Sequence, residues 1–300
     1  QVTDSRNDSI QARSNTVSSA GTTVIDNRPP WVDLDGEVTI KIDSLVLVSG
    51  QTIRDLTAKA NISEPELLID TIKAGFEQGS LAGDAKVYYD ASSKSAYHMA
   101  SNLDLKNIDP SAFPKKRSGS FPVKGLFDGQ FNFEGHGATL ADAADASQGE
   151  LTITGRDGIL TAFELDNRSQ LGLVGLGLLG QQFDRPGVTA MSQAIPYFKD
   201  MRFDNFTLKL TRGQDQKVHI PELSFIGDNV RINGQGFIAA SSLSEVLEQP
   251  LTLSLGLGAK GRLVDYLETL QLLGPTTSED GFRDWKQDIN IGGTLGDPDS

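Results

Sequence analysis

The sequence contains no cysteine, and its 300 residues include only three histidines, three methionines and two tryptophans. Without cysteine there are no disulfides, thiolate metal sites, iron–sulfur clusters or cysteine nucleophiles. That usage fits an exported bacterial protein. His98, His136 and His219 are far apart along the chain, which argues against a His-rich metal centre. Positive charge is also scarce: 27 Lys and Arg stand against 40 Asp and Glu, for a net charge of −13. A surface of that sign repels nucleic-acid phosphates and anionic lipid headgroups, which excludes both as general electrostatic partners. No segment reaches the roughly 18 apolar residues of a membrane span. The longest apolar run, Leu171–Gly180, is interrupted by Gly172, Gly175 and Gly177. Gln1 opens a polar stretch with neither the charged nor the apolar region of a signal peptide. The expectation is an excised or processed piece of a longer protein, with any membrane anchor elsewhere.

Hydrophobic residues make up 38% of the chain, enough for a sizeable core. Residues 1–30 are rich in Ser, Asn, Asp, Thr and Gln and read as a flexible polar arm, ended by Arg28-Pro29-Pro30. From residue 31 to 300 the dominant signal is period two. Val38, Ile40 and Ile42 alternate with Thr39, Lys41 and Asp43; Phe127, Phe131 and Phe133 alternate with Asp128, Asn132 and Glu134. The pattern recurs at Leu56–Ile62, Ala85–Tyr89, Leu151–Gly155, Phe206–Leu210, Val218–Ile220, Val230–Ile232 and Leu251–Leu257. One face of each strand is apolar and the other polar. Turn signals separate the runs: Gly83-Asp84, Asp90-Ala91-Ser92, Gly135-His136-Gly137, Asp157-Gly158, Arg212-Gly213, Gly227-Asp228 and Asn233-Gly234. Three segments read as helices: Ala138–Ala146, Val188–Phe198 with a break at Pro196, and Arg262–Leu273, stopped by Gly274-Pro275.

No constellation specifies catalysis. Gly175-Gly177-Gly180 and Gly256-Gly258-Gly261 match GxGxxG, and the second lies between a strand and a helix, but the chain lacks the βαβ rhythm of a dinucleotide fold. Close-packed or bent backbone explains such glycines better. The carboxylate pairs Asp33–Asp35, Glu279-Asp280 and Asp297–Asp299 sit beside turn residues. His98 and His219 read as surface strand residues and His136 as a turn residue. There is no nucleophile elbow and no EF-hand loop. The expectation is a non-enzymatic protein with no metal and no cofactor.

Some ten alternating runs must bury their apolar rows in a sandwich, under a few helices, or around an apolar ligand. The order of motifs adds a resemblance. Gly125–Gly129, Gly135-His136-Gly137, the Ala-rich ATLADAADA of 138–146 and Gly149-Glu-Leu-Thr-Ile-Thr-Gly155 are similar to the C-terminal region of AsmA-like proteins, as are Asn233-Gly234-Gln235-Gly236 and the close at Ile291–Pro298. The similarity spans about 36–298, and the family is related to TamB-type and bridge-like lipid-transfer proteins. It implies a mainly β domain: a long twisted antiparallel sheet curled into an open groove or half-barrel, with a few short helices and two possible sheet halves, 31–120 and 121–300. It further implies an inner-membrane-anchored protein of the Gram-negative periplasm that carries phospholipid or another lipid and serves outer-membrane homeostasis. Other envelope proteins are possible partners. The groove candidates are Val38, Ile40, Ile42, Phe131, Phe133, Phe206, Leu208, Leu210, Leu253 and Leu255. The competing expectation is a structural or interaction module whose helices fill its own core; a Ca²⁺-dependent adhesive or carbohydrate-active β-protein ranks last.

Overall fold

The computed structural model describes residues 28–46, 52–76, 78–110, 123–161, 185–239, 248–294 and 297–299. The polar arm and the Gly175–Gly180 motif lie outside these residues, apart from the arm's last three positions.

The protein is mainly β. Its elements are β1 (Gly36–Val46), β2 (Thr52–Ser63), β3 (Glu66–Phe76), β4 (Gly79–Tyr89), β5 (Tyr97–Ile108), β6 (Val123–Gly137), α1 (Leu140–Asp145) and β7 (Gln148–Leu160). There follow α2 (Arg185–Ala194), α3 (Pro196–Lys199), β8 (Met201–Arg212), β9 (Val218–Gly227), β10 (Val230–Ile238), β11 (Leu251–Ala259) and α4 (Arg262–Thr269). The chain ends with β12 (Leu273–Thr277), β13 (Arg283–Trp285), β14 (Ile289–Thr294) and β15 (Asp297–Asp299).

From β1 to β11 each strand pairs antiparallel with the next. Strands β5 and β6, on either side of the undescribed residues 111–122, pair directly. Beyond β11 the sheet divides. β13, carrying β12, pairs at Gly258–Ala259, and β14, carrying β15, pairs at Leu253–Leu255. The sheet remains open, with β1 and β12 at opposite ends of its strand order.

Two helical covers lie at opposite ends of the strands on the apolar side. Helix α1 is capped by Thr139: its side chain accepts from the Asp142 amide while the Asp142 carboxylate accepts from the Thr139 amide. The helix sits directly on β6, where a Cβ on Gly135 or Gly137 would collide with the Ala143 backbone. Gly135-His136-Gly137 is therefore a strand segment under a helix, not the expected turn. Trp31, Tyr97 and Ala143 form the buried cluster at this end. At the other end α2, α3 and α4 place Ala190, Ala194, Phe198, Leu263 and Leu267 over Phe127, Met201, Phe203, Phe225 and Val230.

Several other expectations are corrected. Gly83-Asp84, Asp157-Gly158 and Asn233-Gly234 also lie inside strands. At Gly83 a Cβ would strike the Asn102 carbonyl and Leu103, at Gly158 Phe203 and at Gly234 Leu255; these glycines make room for a neighbouring strand's backbone or large side chains. The last helix ends at Thr269, not Leu273. Gln271 adopts the left-handed conformation (φ 57°), its amide donates to the Glu268 carbonyl at 2.8 Å, and Leu272 donates to Leu267 at 3.0 Å. That pair of bonds is a Schellman stop, and Gly274-Pro275 falls within β12. Strand β3, absent from the period-two reading, is disguised by a register shift between Ile69 and Ile72 that breaks its alternation.

Candidate lipid-binding face

In an antiparallel ladder, directly opposed residues present their side chains on the same face. Following the partners across the sheet places all ten groove candidates on one face. One row runs Ile40, Ala58, Ile72, Gly83, Leu103, Phe131, Leu151, Leu210, each opposite the next from β1 to β8. Seven inter-strand steps make it about 34 Å long, and it contains no polar side chain. A parallel row joins Val38 to Phe133 through Ala60, Ile69, Ala85 and Ser101. A third joins Leu208 to Leu255 through Leu223 and Gly234. Ile42 opposes Leu56, Phe206 opposes Gly155 and Phe225, and Leu253 opposes Gly236 and Ile291.

The ten are on one face but not equally covered. Phe206 packs beside the helix-covered core, and Leu208, Leu210 and Leu253 pack around Ile220, Ile238 and Leu251. None of the ten is fully buried. The most open are Val38 and Ile40, at 43% and 47% exposure. Strand β1 thus continues the apolar floor to the sheet edge with little over it among the described residues.

The opposite face is polar and carries cross-strand ion pairs. Cross-strand pairs join Lys59 to Glu37 at 2.9 Å, Lys86 to Glu66 at 2.7 Å and Lys209 to Glu222 at 2.6 Å. Asp128 accepts from the Asn107 amide at 2.8 Å and from Arg156 at 3.1 Å, which hold its carboxyl below the usual carboxylate range. Such exposed pairs add little stability individually; they keep charge on one side and leave the other apolar. Asp280 of the Glu279-Asp280 turn is an ion-pair partner of Arg231 at 2.6 Å, and Asp284 is its second at 2.6 Å.

Gly256 and Gly258 stand on this polar face, in an antiparallel ladder. A strand–helix glycine loop in that setting has no parallel crossover to form a dinucleotide site. Among the described residues no group of three His, Asp or Glu is placed to hold a metal, and no helix is long and apolar enough to cross a membrane.

The open antiparallel sheet and its ordered motifs agree with a family match. The AsmA family model matches residues 2–214. The chain belongs to the AsmA family. Membership associates it with the bacterial envelope. The match contains in full all eight strands that form the long apolar row, β1 to β8; the motifs at Asn233–Gly236 and Ile291–Pro298 lie outside it. No curated protein and no solved structure matches the chain.

What the sequence could not supply was the common side. Each run revealed an apolar face, but only the registers reveal that ten residues from four strands belong to one surface. The sequence also missed His98 and His136 as neighbours: they are directly opposed on β5 and β6.

Proposed function

We propose that this AsmA-family chain binds phospholipid acyl chains along its apolar face and passes them between the inner and outer membranes, without chemistry, as the periplasmic part of an inner-membrane-anchored protein. The observation that carries this reading is the uninterrupted row from Ile40 to Leu210, together with the exposure of Val38 and Ile40. Each methylene taken from water onto such a floor contributes about 0.8 kcal/mol. A floor without charged groups offers no fixed headgroup anchor along this row, which suits sliding better than tight retention. Family membership supports the same reading.

The test is lipid recovery. The chain purified from a Gram-negative host is extracted with organic solvent, and the extract is analysed by mass spectrometry alongside uptake of a fluorescent phospholipid. Phospholipid is expected in the extract, with uptake reduced in Ile40→Ser and Phe131→Ser. Because Ile40 is about half exposed, its replacement should cost only about 1 kcal/mol of stability. The absence of both lipid recovery and uptake would refute the proposal.

A second reading, a structural or interaction module with a self-filled core, is favoured at one end of the sheet. There Phe203, Leu263 and Leu267 are almost completely buried. Under that reading no lipid is recovered and Ile40→Ser changes nothing.

A further inference from the structure

Two of the three histidines, 38 positions apart in sequence, meet on the polar face. His98 and His136 are directly opposed across β5 and β6, with Nδ1 to Nδ1 at 2.8 Å, ring centroids 4.6 Å apart and ring planes at 69°. In the neutral pair one Nδ1 donates to the other, so two nitrogens converge on one proton. We propose that a divalent transition-metal ion, copper(II) by preference, replaces that proton and is held by His98 and His136, with water completing its coordination.

The spacing, which is also that of a hydrogen bond between the rings, admits a cis chelate. With metal–nitrogen bonds of about 2.0–2.1 Å, two ligands at a right angle stand about 2.8–3.0 Å apart, whereas tetrahedral ligands stand about 3.3–3.4 Å apart. The observed 2.8 Å fits the cis edge of a square-planar or tetragonal ion. Copper(II) takes that geometry and binds imidazole most strongly of the first-row divalent ions.

The surroundings fit a cation. His136 is exposed and His98 half-buried, so an ion in solution reaches both. The Asp90 carboxylate lies close enough to interact electrostatically with His98. The Tyr88 ring stands edge-on to His98 with centroids 6.1 Å apart. Gly135 and Gly137, pressed under α1 on the apolar side, commit the intervening His136 to the polar side. The net charge of −13 draws cations generally. His219 provides an internal control: it bonds Asp215 at 3.0 Å on another part of the sheet.

The experiment uses the full chain with one equivalent of copper(II), read by electron paramagnetic resonance and by calorimetric titration. A tetragonal signal with coupling to two imidazole nitrogens is expected. His98→Gln and His136→Gln should each remove one nitrogen from the signal and weaken binding at least about tenfold, while His219→Gln should leave both readouts unchanged. Both sites are on the surface, and unchanged circular dichroism would establish that the variants fold. A two-nitrogen signal that survives either His98→Gln or His136→Gln overturns the proposal. So does a loss of affinity in those variants no larger than in His219→Gln.

Discussion

The floor exists only if the register between β6 and β7 is right, and Phe127 opposite Gly155 offers a direct test. Phe127 is 7% exposed, with its ring 5.9 Å from Phe203 and 5.6 Å from Phe206. Its truncation to alanine should cost about 3–5 kcal/mol. A methyl at Gly155 would lie 2.7 Å from Cδ1 of Phe127, so Gly155→Ala forces the ring off its site at about 1–3 kcal/mol. Set against that is the roughly 0.5–1 kcal/mol that alanine gains over glycine inside a strand. In the Phe127→Ala background there is no ring to displace, and Gly155→Ala should then stabilise. The double-mutant coupling is therefore the overpacking cost itself, about 1–3 kcal/mol, well above the roughly 0.3–0.5 kcal/mol error of additivity. Urea midpoints at constant m-value measure it, with Phe127→Leu as the milder variant if alanine unfolds the chain. Additive effects within about 0.5 kcal/mol would refute the shared face. A one-residue slip would place the two residues on opposite sides and carry every downstream apolar residue with it.

Other outcomes follow from single residues. Asp128 has a folded pKa below its unfolded value, chiefly through the Asn107 amide and then Arg156. Its stabilising contribution is therefore present above the ordinary value near 3.9 and lost as pH falls through the lower folded value. Asp128→Asn should lower the urea midpoint at neutral pH and flatten its decline below about pH 4; an acid limb identical to that of the parent would count against this. Gln271 holds a left-handed conformation at the end of α4, so Gln271→Gly should stabilise by about 0.5–1 kcal/mol and Gln271→Val should destabilise. Thermal melts of the two variants should move in opposite directions.

Much of this protein was legible one strand at a time. Alternation at Val38–Ile42, Phe127–Phe133 and Leu251–Leu257 depends only on the two-residue period of an extended chain, so local sequence marks both the strand and its apolar side. The capping pattern of Thr139 and Asp142 is likewise local. The glycines were misread because the same residue serves turns and crowding: at Gly83, Gly135 and Gly158 the reason for glycine is a paired strand, helix or side chain distant in sequence. Strand β3 was hidden because its register shift sets the period aside where two partners must be accommodated.

The sequence by itself determined that this is an acidic, thiol-free, mainly β chain with two-sided strands. It could not determine which sides coincide. That depends on register, a relation between strands up to dozens of residues apart, enforced by packing across the sheet and by the helices at its ends. Only the tertiary structure could therefore assemble the row from Ile40 to Leu210 on one face, or bring His98 to His136 on the other.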